Sequence, residues 1–277
     1  MTEAVAQKPA FSLAHLTALS LTPPELVSVA AQAGYDEVSF RLLPATPGGP
    51  AYSLMTDAAM LKDTLARMAD TGVRVFDLEI IRLGERFDAR DYLHFFETGA
   101  KLGARAVLVG CDDSDPVRRA QAFAALCELS APFGLTANIE FMPWTAVKRL
   151  RDAVALVEEA GTPSNAGVLV DALHFARSDS TLDEVRALPR KWLHYAQMCD
   201  APGGTPSTDA ELIHTARCER LLPGEGGIDL VALWNALPRD LPVSIEIPND
   251  QRAPLLGPLG WATQALEAAR RVIDARA

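Results

Sequence analysis

The sequence predicts a single-domain (β/α)₈ barrel, an α/β fold in which eight parallel strands are each followed by a helix. Three observations predict it. Short apolar or β-branched runs alternate eight times with longer stretches at helical spacing. Several of the helical stretches stop at a glycine: Gly34, Gly72, Gly103, Gly134 and Gly161. A length of 277 residues suits one closed barrel whose interior is a packed core. An open doubly wound sheet would want a glycine-rich turn after its first strand. The segment from His15 to Thr22, His-Leu-Thr-Ala-Leu-Ser-Leu-Thr, offers none.

The elements follow in order. Residues 1–10, MTEAVAQKPA, contain no apolar run and predict a disordered N-terminal segment, so the barrel spans 11–277. Strands are predicted at 11–16, 37–42, 73–81, 106–111, 136–141, 166–173, 193–199 and 243–247, each short and apolar. Helices are predicted at 24–33 behind Thr22 and two prolines, then at 56–69, 89–102, 116–131, 147–160, 182–188, 230–237 and 262–275. The longest irregular stretches, 43–54, 201–227 and 248–260, each follow a strand. That is the end where such barrels place their chemistry.

Composition narrows the function classes. Apolar residues make up 49% and charged residues 22%, the balance of a soluble protein with a large core. Four scattered cysteines without a Cys-x-x-Cys pair point to a reducing compartment and away from a disulfide framework. No apolar run is long enough to span a bilayer, so a soluble, cytoplasmic protein is expected. A formal net charge of −10 repels phosphate backbones and disfavours nucleic acid as a partner. The expected partner is a small molecule, and assembly into a homo-oligomer is compatible with the sequence.

The informative residues are polar ones near the ends of apolar strands. Glu140 ends the fifth strand, Asp171 the sixth, Gln197 lies on the seventh with Asp200 beyond it, and Glu246 ends the eighth. Inward residues of consecutive strands converge on a barrel axis. Three carboxylates held close in a partly dry cup repel one another by several kcal/mol unless a cation or a proton neutralises them. One divalent ion is the simplest neutraliser, and an all-oxygen ligand set favours Mn²⁺ or Mg²⁺ over Zn²⁺ or Co²⁺. His174, three residues after Asp171, is a metal ligand, a substrate hydrogen-bond donor or a cap on the following helix, with substrate contact preferred, and Trp144 is expected to wall the site. Glu79 on the third strand is a further lining candidate, with Asp77 and His15 beside it. His194 differs in parity from Gln197 and should face the helices.

This arrangement resembles the xylose-isomerase-like barrel superfamily, the sugar phosphate isomerases and epimerases with related dehydratases, over nearly the whole chain. The resemblance rests on Glu140, on Asp171-Ala-Leu-His174, on Gln197-Met-Cys-Asp, on Glu246, and on Arg220-Leu-Leu-Pro-Gly-Glu-Gly-Gly-Ile-Asp229. It implies that Glu140, Asp171, Gln197 and Glu246 hold the metal, although many members place histidine at the seventh-strand position. It also implies that Glu140 and Glu246 form an acid–base pair and that Arg220 contacts substrate oxygens. The implied reaction is isomerisation or epimerisation of a small ketose or hydroxy-keto compound through an enediolate.

A dehydratase of the inosose or 3-dehydroshikimate kind is the nearest alternative, with Arg41, Glu79 and Arg252 as the residues to separate the two. A non-catalytic sensor or partner protein on the same barrel is a second. A Schiff-base aldolase is disfavoured because none of the five lysines falls at the carboxyl end of a strand. A multinuclear zinc endonuclease would need more histidines and a basic face. No clear phosphate cradle is visible, although Gly224, Gly226 and Gly227 offer backbone donors.

Overall fold

A computed structural model describes residues 9–46 and 48–276. The disordered segment expected at 1–10 falls outside it as far as residue 8. Pro9 is buried, and the Ala10 carbonyl accepts the Val243 N–H at 2.9 Å.

Eight parallel strands close into a barrel in chain order: β1 (Phe11–Leu13), β2 (Glu37–Arg41), β3 (Arg74–Leu83), β4 (Ala106–Cys111), β5 (Thr136–Glu140), β6 (Ala166–Asp171), β7 (Ala196–Met198) and β8 (Val243–Ile245). Pairing of Phe11 with Val243 and Leu13 with Ile245 joins the last strand to the first. The strands expected at 11–16, 193–199 and 243–247 are shorter than predicted. After Leu13 the backbone turns into a 3₁₀ helix at His15–Ala18, whose Thr17 hydroxyl bonds the Ile245 carbonyl.

The helices form where capping chemistry starts them and glycine stops them. These are α1 (Pro23–Ala33), α2 (Ala58–Thr71), α3 (Leu93–Leu102), α4 (Pro116–Ser130) and α5 (Leu150–Glu159), followed by α6 (Ala172–Ala176), α7 (Leu182–Ala187), α8 (Asp209–Cys218), α9 (Leu230–Ala236) and α10 (Ala253–Asp274). Thr22 and Glu25 form a capping box on α1, which ends at Gly34 in the left-handed conformation. Two of the expected irregular stretches carry helix. Residues 201–227 contain α8, started by a Thr208–Glu211 capping box, and 248–260 already hold the first turns of α10.

The larger core lies between the sheet and the helices. A second apolar layer, with Phe76, Ile80, Leu108, Met142, Leu169 and Tyr195, packs as a separate cluster. Its Ile80, Leu108 and Met142 also line the cavity described below. No helix among the described residues is long and apolar enough to cross a membrane.

Candidate active site

The carboxyl ends of β5, β6, β7 and β8 bring Glu140, Asp171, Gln197 and Glu246 into one buried group, as the strand alternation predicts. Its centre is a guanidinium. Arg220 Nη1 donates to Asp171 Oδ2 at 2.6 Å and Nη2 pairs with Glu246 Oε2 at 2.9 Å. Its Nε donates to the Ala216 carbonyl at the end of α8, which fixes the plane of the head group. Gln197 Nε2 donates to Glu246 Oε1 at 3.1 Å. A metal is therefore not the sole counter-charge for the three acids; Arg220 already offsets two of them.

Glu140 is the acid left over. Its Oε1 stands 3.5 Å from His174 Nε2, beyond a good hydrogen bond, and has no other partner among the described residues. Burial first, then Glu246 and Asp171, pushes its carboxyl well above the usual carboxylate range. Glu246 is raised to about 7 by burial, with Arg220 opposing. Asp171 is also buried, but Arg220 and His174 overcome that penalty and hold its carboxyl below the ordinary value.

His174 sits on α6, a helix the sequence pattern did not show. Asp171 is its N-cap: Oδ1 accepts the His174 N–H at 3.0 Å. The Asp-x-x-His spacing is thus a capping geometry that returns the imidazole to the cup. Burial lowers His174 to about 4, so the ring is neutral near pH 7. Trp144 packs edge-on against it, with ring centroids 5.1 Å apart.

Glu140, Asp171 and His174 each offer a ligand atom, all within 4.8 Å of one another. The buried Glu140 Oε1 and Gln197 Oε1 have no hydrogen-bond partner among the described residues, nor has His174 Nδ1. Unpaired buried acceptors are costly, and a divalent cation satisfies them. The residues present therefore fit such an ion. Carboxylates have lone pairs enough to meet both Arg220 and a metal. The imidazole in the group widens the choice beyond the hard ions that an all-oxygen set favours.

The other sequence candidates are placed as follows. Glu79 does not line the cavity. Its carboxylate is occupied by Arg41 at 2.7 Å, by the Ser39 hydroxyl and by the His15 N–H. The side chain that reaches the opening from that network is Arg41. His15 is structural: Nδ1 accepts the Arg41 N–H and Nε2 donates to the Leu21 carbonyl. Asp77 is buried beside Tyr195, and burial with neighbouring acids raises its carboxyl well above the usual range, with Tyr195 opposing. His194 lies away from the cup, bonded to Asn138 at 2.7 Å. Arg252 pairs with Glu225 on the surface.

Asp200 accepts four backbone N–H groups, from Ala201, Gly224, Gly226 and Ile228, at 2.8 to 3.1 Å. A Cβ on Gly226 would collide with the Ala201 carbonyl oxygen and Asp200 Oδ1, so only glycine allows this approach. The glycine amides that were candidate phosphate donors are thus spent inside the protein.

A cavity of about 60 Å³ opens over the cup. Glu140, Glu246, His174 and Trp144 line it together with four arginines, Arg41, Arg82, Arg217 and Arg220. Arg82 and Arg217 carried no sequence signal. Gly110 leaves room for the first: a Cβ there would stand 3.3 Å from Arg82 Nη1.

Residues 27–274 match the family model described as the xylose isomerase-like TIM barrel. The chain belongs to that family. Many solved structures share the fold, three of them as follows. A xylose isomerase-like TIM barrel/4-hydroxyphenylpyruvate dioxygenase fusion protein is 24% identical with a TM-score of 0.78, matching 96% of this chain. The chain spans only 43% of that fusion protein. The IolI protein with a bound zinc atom is 18% identical at a TM-score of 0.79, covering 97% of this chain and 98% of its own. The probable 3-DHS dehydratase AsbF of petrobactin synthesis from Bacillus anthracis is 13% identical at 0.72, covering 93% and 98%. No curated protein gave a significant match.

Proposed function

We propose that this family member is a metal-dependent isomerase or epimerase of a small hydroxy-keto substrate, working through an enediolate. The observation that carries the reading is that Glu140 and Glu246, from strands separated by two others, both face one small cavity beside His174 and Arg220. Glu140, Asp171, Gln197 and Glu246 are the proposed metal ligands, and His174 stands close enough to join or replace one of them. When bound, a divalent ion polarises the substrate carbonyl and so lowers the cost of negative charge on its oxygen. In the forward direction Glu246, held by Arg220, takes the proton α to that carbonyl, and the C–H electrons move onto the carbonyl oxygen. Glu140 then returns a proton to the other face or the neighbouring carbon. Arg220 steadies oxygens of the substrate, and Trp144 keeps water from the carbanionic carbon.

A dehydratase is the second reading, favoured by the neutral His174 ring beside Glu140. That pair can deliver a proton to a departing β-hydroxyl, so that water leaves and a conjugated carbonyl remains. One experiment addresses both. Proton–deuterium exchange is followed over small ketoses, inososes and dehydroshikimate with added Mn²⁺, alongside absorbance of any enone formed. Exchange without enone fits the isomerase, and enone formation the dehydratase. Turnover should vanish in Glu140→Gln; full activity in that variant would refute the two-carboxylate mechanism.

A further inference from the structure

The chain has a formal net charge of −10, yet the mouth of its cavity is cationic. Of the four arginines that line it, three have carboxylate partners. Arg41 bonds Glu79, Arg82 bonds Asp112 at 2.6 Å, and Arg220 bonds Asp171 and Glu246. Arg217, in the last turn of α8, is half-buried, and its side chain makes no hydrogen bond or ion pair among the described residues. Burial and the charges of Arg82 and Arg41 make its proton easier to lose than usual, with Cys218 and Asp112 only partly offsetting them. A cation held against two others in a cleft costs stability unless something anionic joins it. The carbonyl end of α8 compensates the charge in part, but it does not explain why Arg41 and Arg82 face the same opening.

The anion is not a phosphate bound in the usual manner of such barrels. Their phosphate sites use backbone amides after the seventh and eighth strands. Here the amides of Gly224, Gly226 and Ile228 bond Asp200, and that of Gly227 bonds the Ala201 carbonyl. Guanidinium and carboxylate match in size and in paired hydrogen-bond geometry.

We propose that the substrate carries a carboxylate, bound at the cavity mouth by Arg217 beside Arg41 and Arg82, and that Arg217 selects acids over neutral polyols. This rests on the reading of the cavity as the substrate site, but not on the reaction performed there. Calorimetric titration of the Mn²⁺-supplemented full chain with shikimate, its methyl ester and shikimate 3-phosphate tests it. The acid should bind at least tenfold more tightly than the ester, and Arg217→Gln should reduce that ratio to near one. The phosphorylated acid should gain nothing over the acid itself. Equal binding of acid and ester, no binding of the acid, an unchanged ratio in Arg217→Gln, or a preference for the phosphate would each overturn the proposal. The readout needs no turnover. Retained acid selectivity without α-proton exchange would therefore sink the proposed reaction and leave this inference standing.

Discussion

Replacing Asp200 by asparagine keeps the volume of the side chain and changes what it can accept. The fully buried carboxylate takes the N–H groups of Gly224 and Gly226 on Oδ2, at 2.9 and 3.0 Å, and those of Ala201 and Ile228 on Oδ1, at 2.8 and 3.1 Å. Asparagine retains one oxygen for two of these donors and turns an NH₂ group toward the other two. A fully buried donor left without an acceptor costs about 1–3 kcal/mol, and three of these four bonds are only part-buried, so the variant should lose roughly 1–4 kcal/mol of stability. The loss has a second consequence, because Asp200 also pairs through its backbone with Leu221, next to Arg220. Loosening that bridge should disorder the guanidinium between Asp171 and Glu246. Urea unfolding of wild type and variant at pH 7 measures the first effect, and Mn²⁺ titration the second. A midpoint shift equivalent to less than about 1 kcal/mol would refute the accounting, since it would mean that water or a relaxed loop satisfies the donors.

Three further outcomes are expected. Asp171→Asn and Glu246→Gln should each weaken Mn²⁺ binding at least tenfold in a protein that still folds, by equilibrium dialysis and circular dichroism, since each removes one anionic ligand and leaves Arg220 one carboxylate partner. Burial lowers His15 to about 4, so its neutral ring contributes stability above its ordinary value of 6.5 that is lost as pH falls through about 4. The contribution is about 3 kcal/mol at most; the stability advantage of wild type over His15→Asn should shrink across that window, and a pH-independent difference would contradict it. Gly167→Ala should cost about 1–3 kcal/mol in thermal unfolding, because the added methyl collides with the bonded Asn138 and His194 side chains.

The fold was legible because each unit repeats the same two periodicities, and every expected strand has a counterpart near its place. Strand ends were less so. Ala14 and Leu16 continue the apolar pattern after β1 stops, and it is the hydrogen bond from Thr17 to β8 that turns them away, a contact with a partner 228 positions distant. The two short helices of the rim differ. The Thr208–Glu211 capping box announces α8 in the sequence, whereas α6 is a single turn whose cap, Asp171, reads equally well as a strand-end acid. The acids of the cup were legible from strand parity. Two of the four arginines above them, Arg82 and Arg217, were not. Arg82 reaches the opening because the pairing of β3 with β4 shifts between Leu78 and Ile81, and a register shift leaves no trace in hydrophobic alternation.

The cup and its mouth come from different parts of the polypeptide. Glu140, Asp171, Gln197 and Glu246 all belong to the second four strands, while Arg41 and Arg82 come from β2 and β3. Arg217 on α8 joins them from the second half, so the acids are carried by one half of the barrel and the cationic mouth by both, which meet when β8 closes on β1. The β2 and β3 share of the mouth can drift while the acids stay fixed. A lineage could exchange the β2 and β3 rim, and with it the charges that flank Arg217, without disturbing a single acid of the cup. Laboratory evolution aimed at new substrates should begin with residues 41–54 and 82–88 together with Arg217, leaving the strand-end acids fixed.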